Sequence, residues 1–172
     1  MAQKALFISL SELKKKSIIS GNLDPDKIMP FIEVAQDTHI QNYLGGKLYK
    51  KLQQLILDGE LDLTANANYK SLLDTYIKPM LIWYAQAEYM PFSAYQVSNG
   101  GAFKHRSENA DTLTTDEINM LTNRFTETAQ FYTRRFMDYM DHYSGLFPEY
   151  LESSNEEMHP DKDVNFTSWY LG

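Results

Sequence analysis

The sequence predicts an all-α domain: a helical bundle with a long irregular loop at 91–111 and an extended C-terminal arm at 148–172. Three observations predict it. Apolar residues recur at three- and four-residue spacing in separate segments, which is the period of one helix face. These segments open on capping residues or close on glycine, the usual start and stop signals. No segment shows the alternation of a strand, and no internal repeat is present. Residues 1–147 therefore read as the helical domain and 148–172 as the arm.

The first element is short. Ser9 or Ser11 can cap it, with Glu12 in the favourable first turn and Lys14, Lys15 and Lys16 at the negative end of the dipole. Gly21 and Asn22 break the chain. Asp24 and Pro25 then form an N-cap and N1 pair, and Asp26 adds negative charge where the dipole is positive. Ile28, Ile32, Ala35, His39, Ile40 and Tyr43 make one apolar stripe, with a kink or delayed start expected at Pro30. Leu44-Gly45-Gly46 reads as the stop of that helix, glycine supplying a left-handed cap. Lys47 to Leu57 follows as a helix ended by Asp58-Gly59, and Glu60 to Asn68 as a polar turn.

Tyr69 to Met90 is the most hydrophobic segment. Leu81, Ile82 and Trp83 carry apolarity around the helix beyond its main stripe, as in a central helix covered on several sides, and Pro79 should kink it. Pro91 to Asp111, with Asn99-Gly100-Gly101 at its centre, has no period. Thr114 or Thr115 caps the last long helix, whose stripe runs from Ile118 through Phe125, Ala129 and Phe136 to Tyr143. Beyond Phe147-Pro148 periodicity is lost.

Composition narrows the function. There is no cysteine, which excludes disulfides and thiolate metal sites and fits a reducing compartment. No apolar run approaches the roughly 20 residues of a membrane span, and the first residues lack a signal-peptide core. A net charge of −7 argues against affinity for nucleic-acid phosphates.

The search for chemistry yields no catalytic, cofactor or metal site. His39, His105, His142 and His159 lie in different segments without ligand spacing, and His39 on its apolar face reads as a satisfied core or interface residue. No nucleophile elbow, phosphate loop or dinucleotide fingerprint is present, so the chain is not expected to be an enzyme. Glu88 lies in an apolar stretch and Arg134 and Arg135 among aromatics. Either Glu88 pairs with one of these arginines between packed helices or simply surfaces on the polar side, or the arginines face a neighbouring subunit, where arginine is a favoured anchor. Phe103, Lys104, His105 and Arg106 form the loop's basic cluster, a solvated tip or a contact with an acidic surface. Phe166, Trp169 and Tyr170 give the arm an aromatic end that docks either on its own domain or on a neighbour.

The opening stretch SLSELKKKSIISGNLDPDKIMPFIEVAQDTHIQNYLGG resembles the first unit of the head–tail connector (adaptor) proteins of tailed bacteriophages. TYIKPMLIWYAQAEYMPFSAY, NGGAFKHRSENAD and AQFYTRRFMDYM with FPEY look like the portal-proximal neck ring protein of crAss-like phages. The resemblance implies a bundle of connector type and a virion protein assembled in the host cytoplasm. It implies a ring of identical subunits that meets the portal protein on one side and the tail or further neck ring proteins on the other. DNA would pass its channel during genome ejection without sequence-specific binding, and no membrane or cofactor is involved. Phe103 to Arg106, Arg134, Arg135, Phe166, Trp169 and Tyr170 are the expected protein-interaction residues. The competing class is a cytosolic helical interaction or regulatory module that binds one protein partner, which would be a monomer or twofold dimer rather than a ring.

The charge balance generates a first prediction. The purified chain should bind duplex DNA poorly at physiological salt in a filter-binding or anisotropy titration. Nanomolar affinity with a steep salt slope would contradict it, because such a slope reports many phosphate contacts.

Overall fold

The structure, a computed structural model, describes residues 4–18, 25–93, 95–98, 101–104, 113–152 and 158–162. It is an all-α bundle. Its helices are α1 (Leu10–Lys16), α2 (Pro25–Ala35), α3 (Gln41–Leu57), α4 (Ala67–Leu72), α5 (Lys78–Tyr89), α6 (Thr115–Tyr143) and α7 (Pro148–Leu151). Both capping alternatives resolve by the same local chemistry. Ser9 caps α1 and Thr114 caps α6, each in a reciprocal capping box with the glutamate three residues on, Glu12 and Glu117. Pro25 opens α2, and Pro30 lies inside it without delaying its start.

Two π turns keep neighbouring helices continuous. Gln36–Ile40 joins α2 to α3, and Leu73–Ile77 joins α4 to α5. The second answers Pro79. A proline ring clashes with the carbonyl four residues earlier and offers no N–H. The wider turn just ahead of it, closed by the Lys78 N–H on the Leu73 carbonyl, carries the helical run past that obstacle.

The helix α5 is the centre of the bundle. Met80, Leu81, Ile82, Tyr84, Ala85, Gln86 and Ala87 are all buried, and α2 and α6 pack against it. An antiparallel ladder of aromatic pairs aligns α6 with α4 and α5. Trp83 meets Phe125 at 5.9 Å, Tyr76 stacks on Tyr139 at 4.3 Å, and Tyr69 meets Phe147 edge-on at 5.4 Å. The rungs on the first strand of the ladder are seven residues apart, so one helix face carries all three.

The N-terminal segment is pinned by buried polar groups rather than by its own length. The fully buried Gln36 side chain accepts from the Phe7 N–H (2.7 Å) and donates to the Ala5 carbonyl (2.9 Å) and the Tyr49 hydroxyl (3.1 Å). Lys78 reaches Glu12 at 2.9 Å and Asp74 at 2.7 Å, tying α1 to the α4–α5 run. Burial works against the Glu12 carboxylate, yet the Ser9 amide and the Lys78 ammonium hold it below the usual range.

The double glycine does more than end a helix. Gly45 has φ 72° and ψ 164°, a region open essentially to glycine alone, and the helix resumes immediately after it. The expected stop is thus a break inside α3. A helical bond from the Gly46 N–H to the Asn42 carbonyl would span Gly45, and both of these groups are taken by the C-terminal arm. Gly46 N–H donates to the Met158 carbonyl (2.7 Å), and Asp161 N–H donates to the Asn42 carbonyl (2.9 Å). Pro160 sits against Gly45 so closely that a Cβ there would lie 2.7 Å from its Cδ. The arm's first turn is also packed into the body, with Phe147 and Tyr150 buried. Lys162 lies over the Tyr150 ring at 5.4 Å. Gly59, at φ 69°, supplies the left-handed end of α3 that the Asp-Gly pair predicts.

One local expectation changes. Within the loop expected to be irregular, Tyr95–Ser98 (β1) pairs antiparallel with Gly101–Lys104 (β2), Tyr95 opposite Lys104 and Ser98 opposite Gly101. Four-residue strands are too short to register as a period, but the Asn-Gly between them is a strong hairpin signal.

Two stability outcomes follow. Leu73→Ala or Leu81→Ala should cost about 2–5 kcal/mol in denaturant unfolding, because both are fully packed. Gly45→Ala should cost about 3 kcal/mol, from backbone strain and the Pro160 contact together. A Gly45→Ala change of under about 0.5 kcal/mol would mean that the break is not held as described.

Candidate interaction surface

Among the described residues no group of three or more His, Cys, Asp or Glu could hold a metal, and no helix is long and apolar enough to cross a membrane. The polar side chains that do converge join one helix to another. His39 stacks on Tyr84 with ring centroids 3.9 Å apart and planes 4° from parallel, while its Nε2 meets Glu88 at 2.8 Å. The Tyr84 hydroxyl, on the buried side, lies 3.2 Å from Thr133 on α6. This chain of contacts joins the α2–α3 junction, α5 and α6. It also corrects the sequence pairing of Glu88 with Arg134 or Arg135. Glu88 lies on the side of α5 facing the α2–α3 run, so its partner is His39. The hydrogen bond from His39 outweighs partial burial and lowers the Glu88 carboxyl below its ordinary value.

Arg134 and Arg135 instead point outward from α6. Both are exposed, and among the described residues neither has a carboxylate partner. The Arg135 guanidinium lies 5.9 Å from the Tyr132 ring centroid. Two shallow depressions open along the same outer face. One is lined by Asp116, Asn119, Met120 and Arg124, the next by Arg124, Gln130, Phe131 and Arg134. Met120 is 64% exposed and Phe131 51% exposed, large apolar groups where a helix facing water would carry polar ones. Arg124 and Glu127 pair at 3.2 Å beside them, but both are so exposed that the pair contributes little.

A second apolar patch belongs to α2 and the turn after α5. Phe31 packs against Tyr89 at 5.4 Å and Phe92 at 5.3 Å, leaving Phe92 59% and Val34 45% exposed, with the exposed Glu33 next to Val34. Sequence reasoning missed both patches. Their signal was available, since Met120, Arg124, Phe131 and Arg134 fall off the buried stripe at helical spacing. Of the sequence-derived interaction residues, Phe103 and Lys104 lie on β2, and Arg134 and Arg135 on the α6 face. His105, Arg106, Phe166, Trp169 and Tyr170 lie outside the described residues.

Residues 40–159 match the model of a family of unknown function, DUF6712. The chain belongs to this family. The DUF6712 match spans the Gly45 break, the central α5, the whole of α6 and α7, and it leaves α1 and α2 outside. No curated protein and no solved structure matches the chain.

The His39–Glu88 contact gives a pH prediction. A carboxyl whose folded value is depressed contributes stability above its unfolded value and loses it as pH falls through the folded one. The stability gap between the wild-type chain and Glu88→Gln should therefore be present at pH about 6 and close between about 5 and about 3. Thermal or urea unfolding across that range checks it, and a gap independent of pH would contradict it. The gap should be no more than about 1 kcal/mol, because the pair is partly exposed.

Proposed function

We propose that this chain is a structural subunit of a closed ring, acting in a phage virion as the connector that joins portal to tail and leaves a channel for DNA. The observation that carries the reading is a pair of exposed apolar patches of unlike composition, one on α6 and one on α2 with Phe92. A ring needs a heterologous contact, one surface of each subunit meeting a different surface of the next. The α6 face offers Met120, Phe131, Arg134 and Arg135; the other offers Phe92, Val34 and the acidic Glu33. Apolar groups of this size on a helical body favour a protein partner over solvent. The polar contacts that converge inside the body hold helices together, which suits a structural role better than a chemical one. The likeness of the opening unit and of the TRRF and FPEY segments to connector and neck ring proteins supports the same reading.

Light scattering and negative-stain microscopy of the purified chain test it. Closed rings with one repeated contact are expected as concentration rises. Phe131→Glu should weaken that association by roughly 30-fold, the loss of one interface hot spot, while circular dichroism stays unchanged. A chain that remains a monomer or a twofold dimer, alone and in particles assembled with portal and tail, would contradict the ring and favour a regulatory module.

A further inference from the structure

We propose that the break at Gly45 is a peptide-binding site, filled here by Met158–Asp161 and able to take the same segment from a second copy of the chain. Its recognition chemistry is on the main chain. The body presents one acceptor, the Asn42 carbonyl, and one donor, the Gly46 N–H, left unpaired by the break. The arm answers with an acceptor two residues before Pro160 and a donor one residue after it, at 2.7 and 2.9 Å. Between them the Pro160 ring lies on the bare Cα of Gly45, where any Cβ would collide with it. The ligand is therefore an extended peptide with proline at its centre, its ring on Gly45 and its flanking amides on the broken helix. This is main-chain recognition with one side-chain pocket for specificity, the logic by which extended peptides add to exposed backbone groups.

The segment is seated as a bound peptide would be. Met158 and His159 are exposed on either side of the bond to Gly46, while Phe147 and Tyr150 anchor the chain at α7 by their own burial. Residues 152–157 connect α7 to the seated segment. Exchange between two copies conserves every one of these contacts, which is why swapping identical elements is a low-cost route to association. The site stands on the geometry of the break alone. Delivery in trans rests on the ring reading, which would hold copies close enough to compete with the arm's own high effective concentration.

A labelled peptide of residues 156–164, titrated by fluorescence anisotropy into full-length chains, separates these claims. Pro160→Gly should release the chain's own arm, so this variant should bind the peptide at least about tenfold more tightly than the wild-type chain, whose arm competes. Asp161→Pro removes the donor to Asn42 without touching the body and should behave alike. Adding Gly45→Ala to either variant should abolish binding, and a peptide carrying Pro160→Gly should bind at least about tenfold more weakly. Equal peptide affinity for wild type and both variants overturns the site. Failure of both variants to fold overturns it too, since the arm would then be part of the subunit core. Peptide binding by a chain that never forms rings would leave the site intact and overturn only delivery from a second copy.

Discussion

One break in a helix decides where the C-terminal arm sits. Gly45 turns the backbone out of the helix within α3, separating the Gly46 N–H from the Asn42 carbonyl that an unbroken helix would give it. Gly45 and Gly46 are buried and Asn42 is exposed, so it is the Gly46 N–H that would cost about 1–3 kcal/mol if left bare. The arm supplies both missing partners and fills the space over the glycine with Pro160. A change at either end is therefore felt at the other. Tyr43 lies just before the break and Tyr150 in α7; both rings are buried beside the arm, and Tyr150 is pushed up to about 12 chiefly by that burial.

Around that closure the bundle is held by repeated contacts of ordinary strength. The aromatic ladder from Trp83–Phe125 to Tyr69–Phe147 sets the register of α6, and the His39–Tyr84–Thr133 line ties α6 to the α2–α3 junction through α5. Gln36 fastens the N-terminal segment by satisfying main-chain groups that would otherwise be stranded under the bundle. Buried polar groups are tolerated here because each is paired, and pairing makes them specific about what they hold. Among the described residues, the α6 face and the patch around Phe92 are two of the apolar surfaces left outside.

Much of this was legible in the sequence because it is local. The capping boxes at Ser9 and Thr114, the Pro25 start and the Asp58-Gly59 end depend on residues within one turn, and all follow from side-chain chemistry. The buried stripes of α2 and α6 were equally readable from spacing. Three features were not, and each depends on a partner distant in the chain. Leu44-Gly45-Gly46 reads as a stop because nothing nearby shows that Pro160 and Asp161 will rejoin the helix. Glu88 reads as a partner for arginine because spacing cannot say which side of α5 meets which helix. The π turns appear only when helical runs are fitted around Pro79 and the α2–α3 junction. The outward residues of α6 were visible as the complement of its stripe, yet only the structure shows how far Met120 and Phe131 stand out from it.

Native-state hydrogen exchange at the Gly46 amide tests the central claim most directly, since that proton reports whether the arm closes the broken helix. In the full-length chain it should be protected to nearly the level of Leu52 and Leu55, whose amides lie in the unbroken part of α3. In a chain ending at Glu152 the Gly46 amide should exchange at least about a hundredfold faster, while Leu52 and Leu55 keep more of their protection. A Gly46 amide that exchanges freely in the full-length chain, or that is indifferent to loss of the arm, would contradict the account.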